Sequence, residues 1–343
     1  MGAGALEAVG DDGLNALLDA PVLALDIGGT KLAAGVVGSD GSVHSFVVAP
    51  TEPERGPDDG LDRLFELGRR AVADSGIDWA HVGAVGIGCG GPLDSANGVL
   101  VAPLHLPGWR DVAVAARAQE AFGRPAALEN DATAAAAAEH RYGAGVGTRH
   151  MVYLTVSTGV GGGVIVDERL YRGAMGNGGE LGHVTVDCNG RLCRGCGRRG
   201  CLEAYVSGTS IAERAREVLA ETVGMSTLAL LAEPTAADVA AAARNGDALA
   251  QLVWDETVFA LACGLTSIVN LFEPELVVVG GGVSRSGEQL LGPVRELVLA
   301  GTVRPAGGGA RIVQSALGDH VGIVGAAAIV YDRVASGLML VHG

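Results

Sequence analysis

Two stretches of this chain read as copies of one β-hairpin. Residues 26–37, DIGGTKLAAGVV, and residues 155–166, TVSTGVGGGVIV, share one order: a strand end, a glycine turn carrying threonine, and a second strand. In each copy a polar turn and a third strand follow. A duplication inside one chain predicts two similar lobes facing each other across a cleft, and few folds satisfy that demand. The first copy also holds Lys31, the only lysine in the chain, directly after Gly28, Gly29 and Thr30 and close to Asp26.

The 343 residues suffice for two ordinary domains. Alanine and glycine supply much of the apolar content and aromatics are scarce, which suits a tightly packed α/β protein with many close backbone approaches. A net charge of −15 excludes a nucleic-acid surface, which needs clustered Lys and Arg. The one basic run, CRGCGRRG at 193–200, belongs to a cysteine cluster. Residues 1–20 lack the basic start and apolar core of a secretory signal and read as a short helix or frayed leader. No run approaches the apolar length of a membrane span, so no membrane partner is expected. Four of six cysteines fall within residues 188–201, a pattern of metal binding in a reducing cytoplasm rather than of a disulfide framework.

Along the chain, apolar runs around short Gly/Asp turns predict an antiparallel meander at the start. Leu61, Leu64, Leu67 and Val72 then mark a helix over about 58–75. A buried strand ends in the glycines of GIGCGGPLD, a helix covers AVAARAQEAF, and an alanine-rich helix after PAALEND closes at Gly143. Residues 208–250 read as mostly helical, 250–270 as a long apolar helix, and FEPELVVV as a strand entering GGGVS. One more apolar helix ends the chain.

Paired glycines in a hairpin let the backbone approach a ligand and aim N–H groups at it, and phosphate oxygens are natural guests. Thr30 adds a hydroxyl, Lys31 a point cation, and Asp26 a carboxylate able to hold Mg²⁺ directly or through water. The second turn, with Thr158 and Gly159, offers another set of amides, and Gly281 in the third glycine run suits close approach to a ring or ribose. The spacings are those of neither a Walker P-loop nor a Rossmann fingerprint. Three glycine-rich strand ends therefore predict a nucleotide held between lobes. Asp131 opens the alanine-rich helix, where it serves either as an N-cap or as a base that takes the proton of a substrate hydroxyl in phosphoryl transfer. Asn130 beside it either binds a polyol or fixes the turn. His183, Cys193, Cys196 and Cys201 form a closed tetrahedral donor set for structural Zn²⁺, with Cys188 as a possible replacement for one thiolate. Arg194, Arg198 and Arg199 then balance thiolate charge. Glu180 and Glu203 flank this cluster, either as surface glutamates or as carboxylates that the metal loop preorganises for a sugar.

The combination of LALDIGGTK, GIGCGGPLD, END, STGVGGGVIV, GELGH and CGRRGCLE closely resembles the ROK family of sugar kinases and sugar-responsive repressors, from about residue 21 to about 330. The resemblance implies an α/β, actin-like ATPase (ribonuclease-H-like) fold with two lobes and ATP in the cleft. The expected division is a leader over 1–20, a small lobe over 21–128, and a larger lobe over 129–320. The larger lobe carries the zinc loop at 183–201, and a terminal helix over about 321–343 returns to the small lobe. Asp131 is then the base on the sugar 6-hydroxyl. Gly91, His105, Asn130, Glu180, His183 and Glu203 are the sugar ligands. Asp26, Gly28, Gly29, Thr30, Lys31, Thr158, Gly159 and Gly281 are the nucleotide and Mg²⁺ region. His183 is implied to serve zinc and sugar through different ring nitrogens, and a homodimer or homotetramer is implied. The chain departs from the family's Cys-x-Cys-Gly-x-x-Gly-Cys by one residue in CRGCGRRGC, and it has HLPGW where relatives often read Asn-Leu-Pro-Gly-Trp. The activity implied is that of an ATP-dependent glucokinase. N-acetylmannosamine or N-acetylglucosamine kinases are the nearest alternative. A ROK regulator is disfavoured, because only about twenty residues precede the first strand where repressors carry a winged helix-turn-helix.

Overall fold

A computed structural model describes residues 16–221, 225–303 and 309–337. Most of the expected leader, residues 1–15, and the end of the chain, 338–343, lie outside the described residues. The chain divides into two units: Met1–Ala138 with Asp319–Gly343, and Glu139–Gly318.

The first unit is built on a five-stranded sheet of order β3-β2-β1-β4-β7. β1 (Val22–Ile27), β2 (Lys31–Val37) and β3 (Val47–Pro50) form the antiparallel meander. β4 (Ala84–Cys89) and β7 (Ala126–Asn130) run parallel to β1. A two-stranded hairpin, β5 (Leu93–Asp94) with β6 (Val99–Leu100), follows β4. β1 and β4 are apolar runs buried almost throughout, the pattern of strands covered on both faces. Helix α1 (Gly56–Ser75) starts with proline in its first turn and stops at Gly76 with φ 72°. It buries Leu61, Leu64, Phe65 and Ala71 at helical spacing. Helix α2 (Val114–Phe122) ends at Gly123 in the same left-handed manner. Trp109, almost fully buried, anchors the segment between β6 and α2 in this core. β7 passes without a loop into α3 (Asp131–Tyr142).

The second unit repeats the plan. Its sheet order is β10-β9-β8-β11-β12, from β8 (Met151–Val156), β9 (Val160–Val166), β10 (Arg169–Leu170), β11 (Leu276–Gly280) and β12 (Arg311–Gln314). β8, β9 and β10 are antiparallel, while β11 and β12 run parallel to β8. The two repeated hairpins thus occupy the same places in two like sheets. Helices α4 (Glu203–Val206), α5 (Gly208–Glu221), α6 (Ala236–Arg244), α7 (Ala248–Phe272) and α8 (Glu288–Gly301) complete the unit. α7 has the length and apolar composition of a membrane span, contrary to the expectation that no run does. Its Leu249, Val253, Leu261, Leu265 and Ile268 face the core, and Asp255 and Glu256 lie on its outer side, which makes it a core helix.

The last helix, α9 (Val321–Ala335), packs on β1 and β4 of the first unit. The sequence boundary at 128/129 moves to 138/139. β7 carries Glu129 and Asn130 in register with Gly88 and Cys89 of β4, so the start of α3 stays with the first sheet.

Candidate active site

In the first unit, Asp26 is the penultimate residue of β1. Its register partners are the small residues Ala33 and Gly88. The Gly28 N–H donates to the Lys31 carbonyl at 3.0 Å and closes the turn. Thr51, fully buried, clamps this turn twice: its hydroxyl donates to the Gly28 carbonyl at 2.6 Å, and its N–H to the Thr30 carbonyl at 3.1 Å. No pattern in the sequence marks Thr51, because its role exists only once β3 lies beside β2. Gly29 backs onto His105, where a Cβ on the glycine would come within 2.7 Å of the His105 Cβ.

The cap of α3 is Asn130. Its Oδ1 accepts from the Ala132 N–H at 3.0 Å and the Thr133 N–H at 3.2 Å. The N-cap reading of Asp131 is therefore corrected: Asp131 is the first helical residue, and its Oδ1 accepts from the neighbouring Ala132 N–H at 2.8 Å. A cap of this kind stabilises a helix by about 1 kcal/mol, and it occupies the Asn130 oxygen. The Asn130 amide nitrogen faces Gly91, 3.7 Å from where a Cβ there would stand. A Cβ on neighbouring Gly90 would lie 3.8 Å from His105 Cδ2 and 3.9 Å from Asp131 Oδ2, so His105 and Asp131 flank the same glycine.

Electrostatics tie these groups together. Burial first, and then the Asp131 charge, push the Asp26 carboxyl up to about 7, against the opposing pull of Lys31. Burial likewise raises Asp131, offset in part by the Ala132 N–H and by His105. The Asp131 side chain keeps a path to solvent while dense protein behind it favours the neutral form. Cys89, buried at the end of β4 near both carboxylates, has its thiol pushed well up and is inert.

In the second unit, His183, Cys193, Cys196 and Cys201 present donor atoms that all lie within 4.8 Å of one another. Cys193 Sγ is 3.7 Å from His183 Nδ1, and Cys196 Sγ is 3.5 Å from Cys201 Sγ. A tetrahedral zinc with Zn–S bonds of about 2.3 Å places its sulfurs about 3.7 Å apart, so the set suits that ion. Cys188 is exposed and outside the group, and despite the longer CRGC spacing Cys193 stands in it as a buried donor. The Arg198 guanidinium donates to the His183 carbonyl at 2.9 Å and stands beside Cys201. Arg194 and Arg199 turn elsewhere, to Glu213 and to the Gly190 carbonyl.

Glu203, at the start of α4, joins this loop to the second glycine turn. Its Oε1 accepts from Cys193 Sγ at 3.2 Å and its Oε2 from the Val160 N–H at 3.0 Å. Glu180 lies 3.9 Å from His183 Nε2, so the two ring nitrogens face different neighbours. Ser157 and Thr158 border a cavity of about 690 Å³, together with Thr235, Arg216, Arg244 and Gly282. The volume falls in the range of small-molecule sites. Gly159 lies instead against Glu203 Oε2. Gly281 adopts φ 85° with its Cα against the Val156 carbonyl, and it is Gly282 that reaches the cavity. The arginines of this cavity stand on separate helices and leave no spacing for a sequence reader to find.

Two like mixed sheets, each with a glycine hairpin at the head of its first strand, place the molecule among the actin-like ATPases of ribonuclease-H-like fold. Residues 22–333 match the model of the ROK family, and the chain belongs to that family. It is 37% identical to a glucokinase of Thermotoga maritima over 316 residues, 91% of this chain and 98% of the relative. A ROK hexokinase of Thermus thermophilus superposes with a TM-score of 0.78 at 37% identity, covering 92% of this chain and 100% of that one. A ROK family glucokinase from Streptomyces griseus, in complex with glucose and AMPPNP, gives a TM-score of 0.76 at 34% identity over 90% and 98% of the two chains.

Proposed function

We propose that the protein is an ATP-dependent glucokinase that phosphorylates the sugar 6-hydroxyl. The observation that carries this reading is the first unit's cluster: Asp131 free of capping duty at the head of α3, flanking one glycine with His105 and in electrostatic reach of Asp26.

In the first unit, Asp131 takes the proton of the attacking hydroxyl, leaving the sugar oxygen to form the new P–O bond as the bond to ADP breaks. Its raised proton affinity makes it a stronger acceptor than an ordinary carboxylate. The amides of Gly28 and Gly29, the Thr30 hydroxyl and the Lys31 ammonium neutralise phosphate charge. Asp26 would hold Mg²⁺, which when bound shields the phosphates and orients them. Gly91, His105 and the Asn130 amide nitrogen contribute sugar contacts.

In the second unit, Glu180, Glu203 and His183 Nε2 offer acceptors and a donor for sugar hydroxyls. Zn²⁺ on His183 Nδ1, Cys193, Cys196 and Cys201 would hold these carriers rigid. The cavity beside Thr158 takes the nucleoside, with Ser157 and Gly282 on its lining and Gly159 and Gly281 holding the adjoining turns. Assembly as a homodimer or homotetramer in the cytoplasm completes the reading. Leu252, Phe259 and Leu271 on the outer side of α7 are exposed apolar groups suited to a subunit contact.

The test is ADP release and sugar-phosphate formation by purified protein with MgATP over glucose, fructose, mannose and the N-acetylhexosamines. The highest kcat/KM is expected for glucose. A higher value for N-acetylmannosamine or N-acetylglucosamine moves the reading to the N-acylhexosamine kinases, and no turnover on any sugar ends it.

A further inference from the structure

Asp26 lies between two glycines. On one side is Gly88 of β4, where a Cβ would stand at an ordinary 3.5 Å from Asp26 Oδ1. On the other is Gly322, in the first turn of α9, where a Cβ would stand 2.5 Å from Asp26 Oδ2 and 2.9 Å from its Cγ. Gly322 has no left-handed φ, so space rather than backbone conformation requires glycine there. Resting on the reading of Asp26 as the Mg²⁺-side carboxylate, we infer that Gly322 is a positioning residue for the reaction. Its bare Cα lets the carboxylate lie against the start of α9, and a side chain would push the carboxylate from its working place.

The helix cannot yield in place of the carboxylate. A Cβ on Gly86 would meet the Ala326 carbonyl oxygen at 1.8 Å, so α9 lies backbone to backbone on β4. A Cβ on Gly35 of β2 would meet Ile323 Cδ1 at 2.8 Å. One on Gly325 would meet the Ala134 backbone at 2.7 Å, within the helix that begins at Asp131. With α9 held by β2, β4 and α3, the group free to move on substitution is the short Asp26 side chain. The helix N-terminus also offers its positive end to that carboxylate, and a displaced Asp26 loses this support. A shift of about 1 Å in a positioning group costs up to about 10²-fold in rate.

The experiment compares Gly322→Ala, Asp26→Ala and the double variant, measuring kcat, sugar KM and the Mg²⁺ concentration for half-maximal rate. Gly322→Ala is expected to lower kcat by about 10- to 10²-fold. Half-maximal Mg²⁺ should rise several-fold with sugar KM unchanged, and the double variant should be no slower than Asp26→Ala alone. A folded Gly322→Ala enzyme with wild-type kcat and Mg²⁺ dependence overturns the inference, as does full additivity in the double variant. If Gly322→Ala does not fold, Asp26→Ala in the same chain removes the clash and must restore folded protein; continued failure also overturns it. An Asp26→Ala enzyme with unchanged rate and Mg²⁺ dependence instead sinks the reading of Asp26, a result separable from failure at Gly322 alone.

Discussion

The two glycine turns share a backbone plan and differ in where their charge comes from. In the first, the charged groups belong to the hairpin itself: Asp26 before the turn and Lys31 after it. In the second, the corresponding positions are Thr155 and Val160, which carry no charge. There the carboxylate comes from outside, as Glu203 accepts the Val160 N–H at the place equivalent to Lys31. The parallel side is alike, since Asp26 lies beside Gly88 and Thr155 beside Gly280, but the hairpin register differs by one residue: Asp26 pairs with Ala33, seven residues on, and Thr155 with Gly161, six on. One copy thus stores its chemistry in the strands, and the other recruits it from the first residue of α4, just after the cysteine-rich loop. Duplication supplied a scaffold with amides at a strand end, and local residues then decided the use.

The largest effect expected from this contrast is at Asp131. Asp131→Asn should lower kcat by about 10³-fold or more while glucose affinity by calorimetry stays within a few-fold. A variant that turns over normally would strip the first unit of its chemical role. Next is the borrowed carboxylate of the second turn. Metal analysis should find about one zinc per chain, and Cys193→Ser or chelation should weaken sugar affinity by about 10- to 100-fold. If chelation empties the site without touching sugar KM, the loop does not serve the second turn.

A smaller effect lies in pH. Burial raises Asp131, so its carboxylate protonates as pH falls through a value above the ordinary aspartate range, and a proton-bearing base cannot accept another. The acid limb of kcat/KM should therefore have its midpoint above about 4; a midpoint in the ordinary range contradicts the crowded environment. The smallest concerns stability. Asp26 is raised to about 7 in the fold, so its favourable protonated form is present below the unfolded value and is lost as pH rises through about 7. Without nucleotide or Mg²⁺, Asp26→Asn should melt a few degrees above the parent at pH 8, with no gain near pH 3.5. Equal melting temperatures at pH 8 would mean that the carboxylate costs the fold nothing.

Much of the fold was legible because its signals are local. The repeated hairpin, the apolar period of α1 and the Asp131–Tyr142 helix all announce themselves within a dozen residues. The donor set His183, Cys193, Cys196 and Cys201 is legible for the same reason, since its spacing alone brings the atoms close. What escaped depends on pairing over distance. Thr51 clamps the first turn only through strand pairing. Asn130 rather than Asp131 supplies the cap, which the sequence left open between capping and catalysis for Asp131, because β7 runs straight into the helix. The division at 138/139 depends on the partner chosen by β7, which no periodicity encodes.

The first unit is discontinuous in the chain, made from residues before 139 and after 318, and the second is an unbroken insert. Domains usually mature in order of synthesis, but here the last helix of the first unit is made after the whole of the second. The sheet translated first must wait for α9 to emerge from the ribosome, while the insert already holds all its strands. Chains truncated before residue 321 and released from the ribosome should therefore carry a protease-resistant second unit beside an unfinished first one.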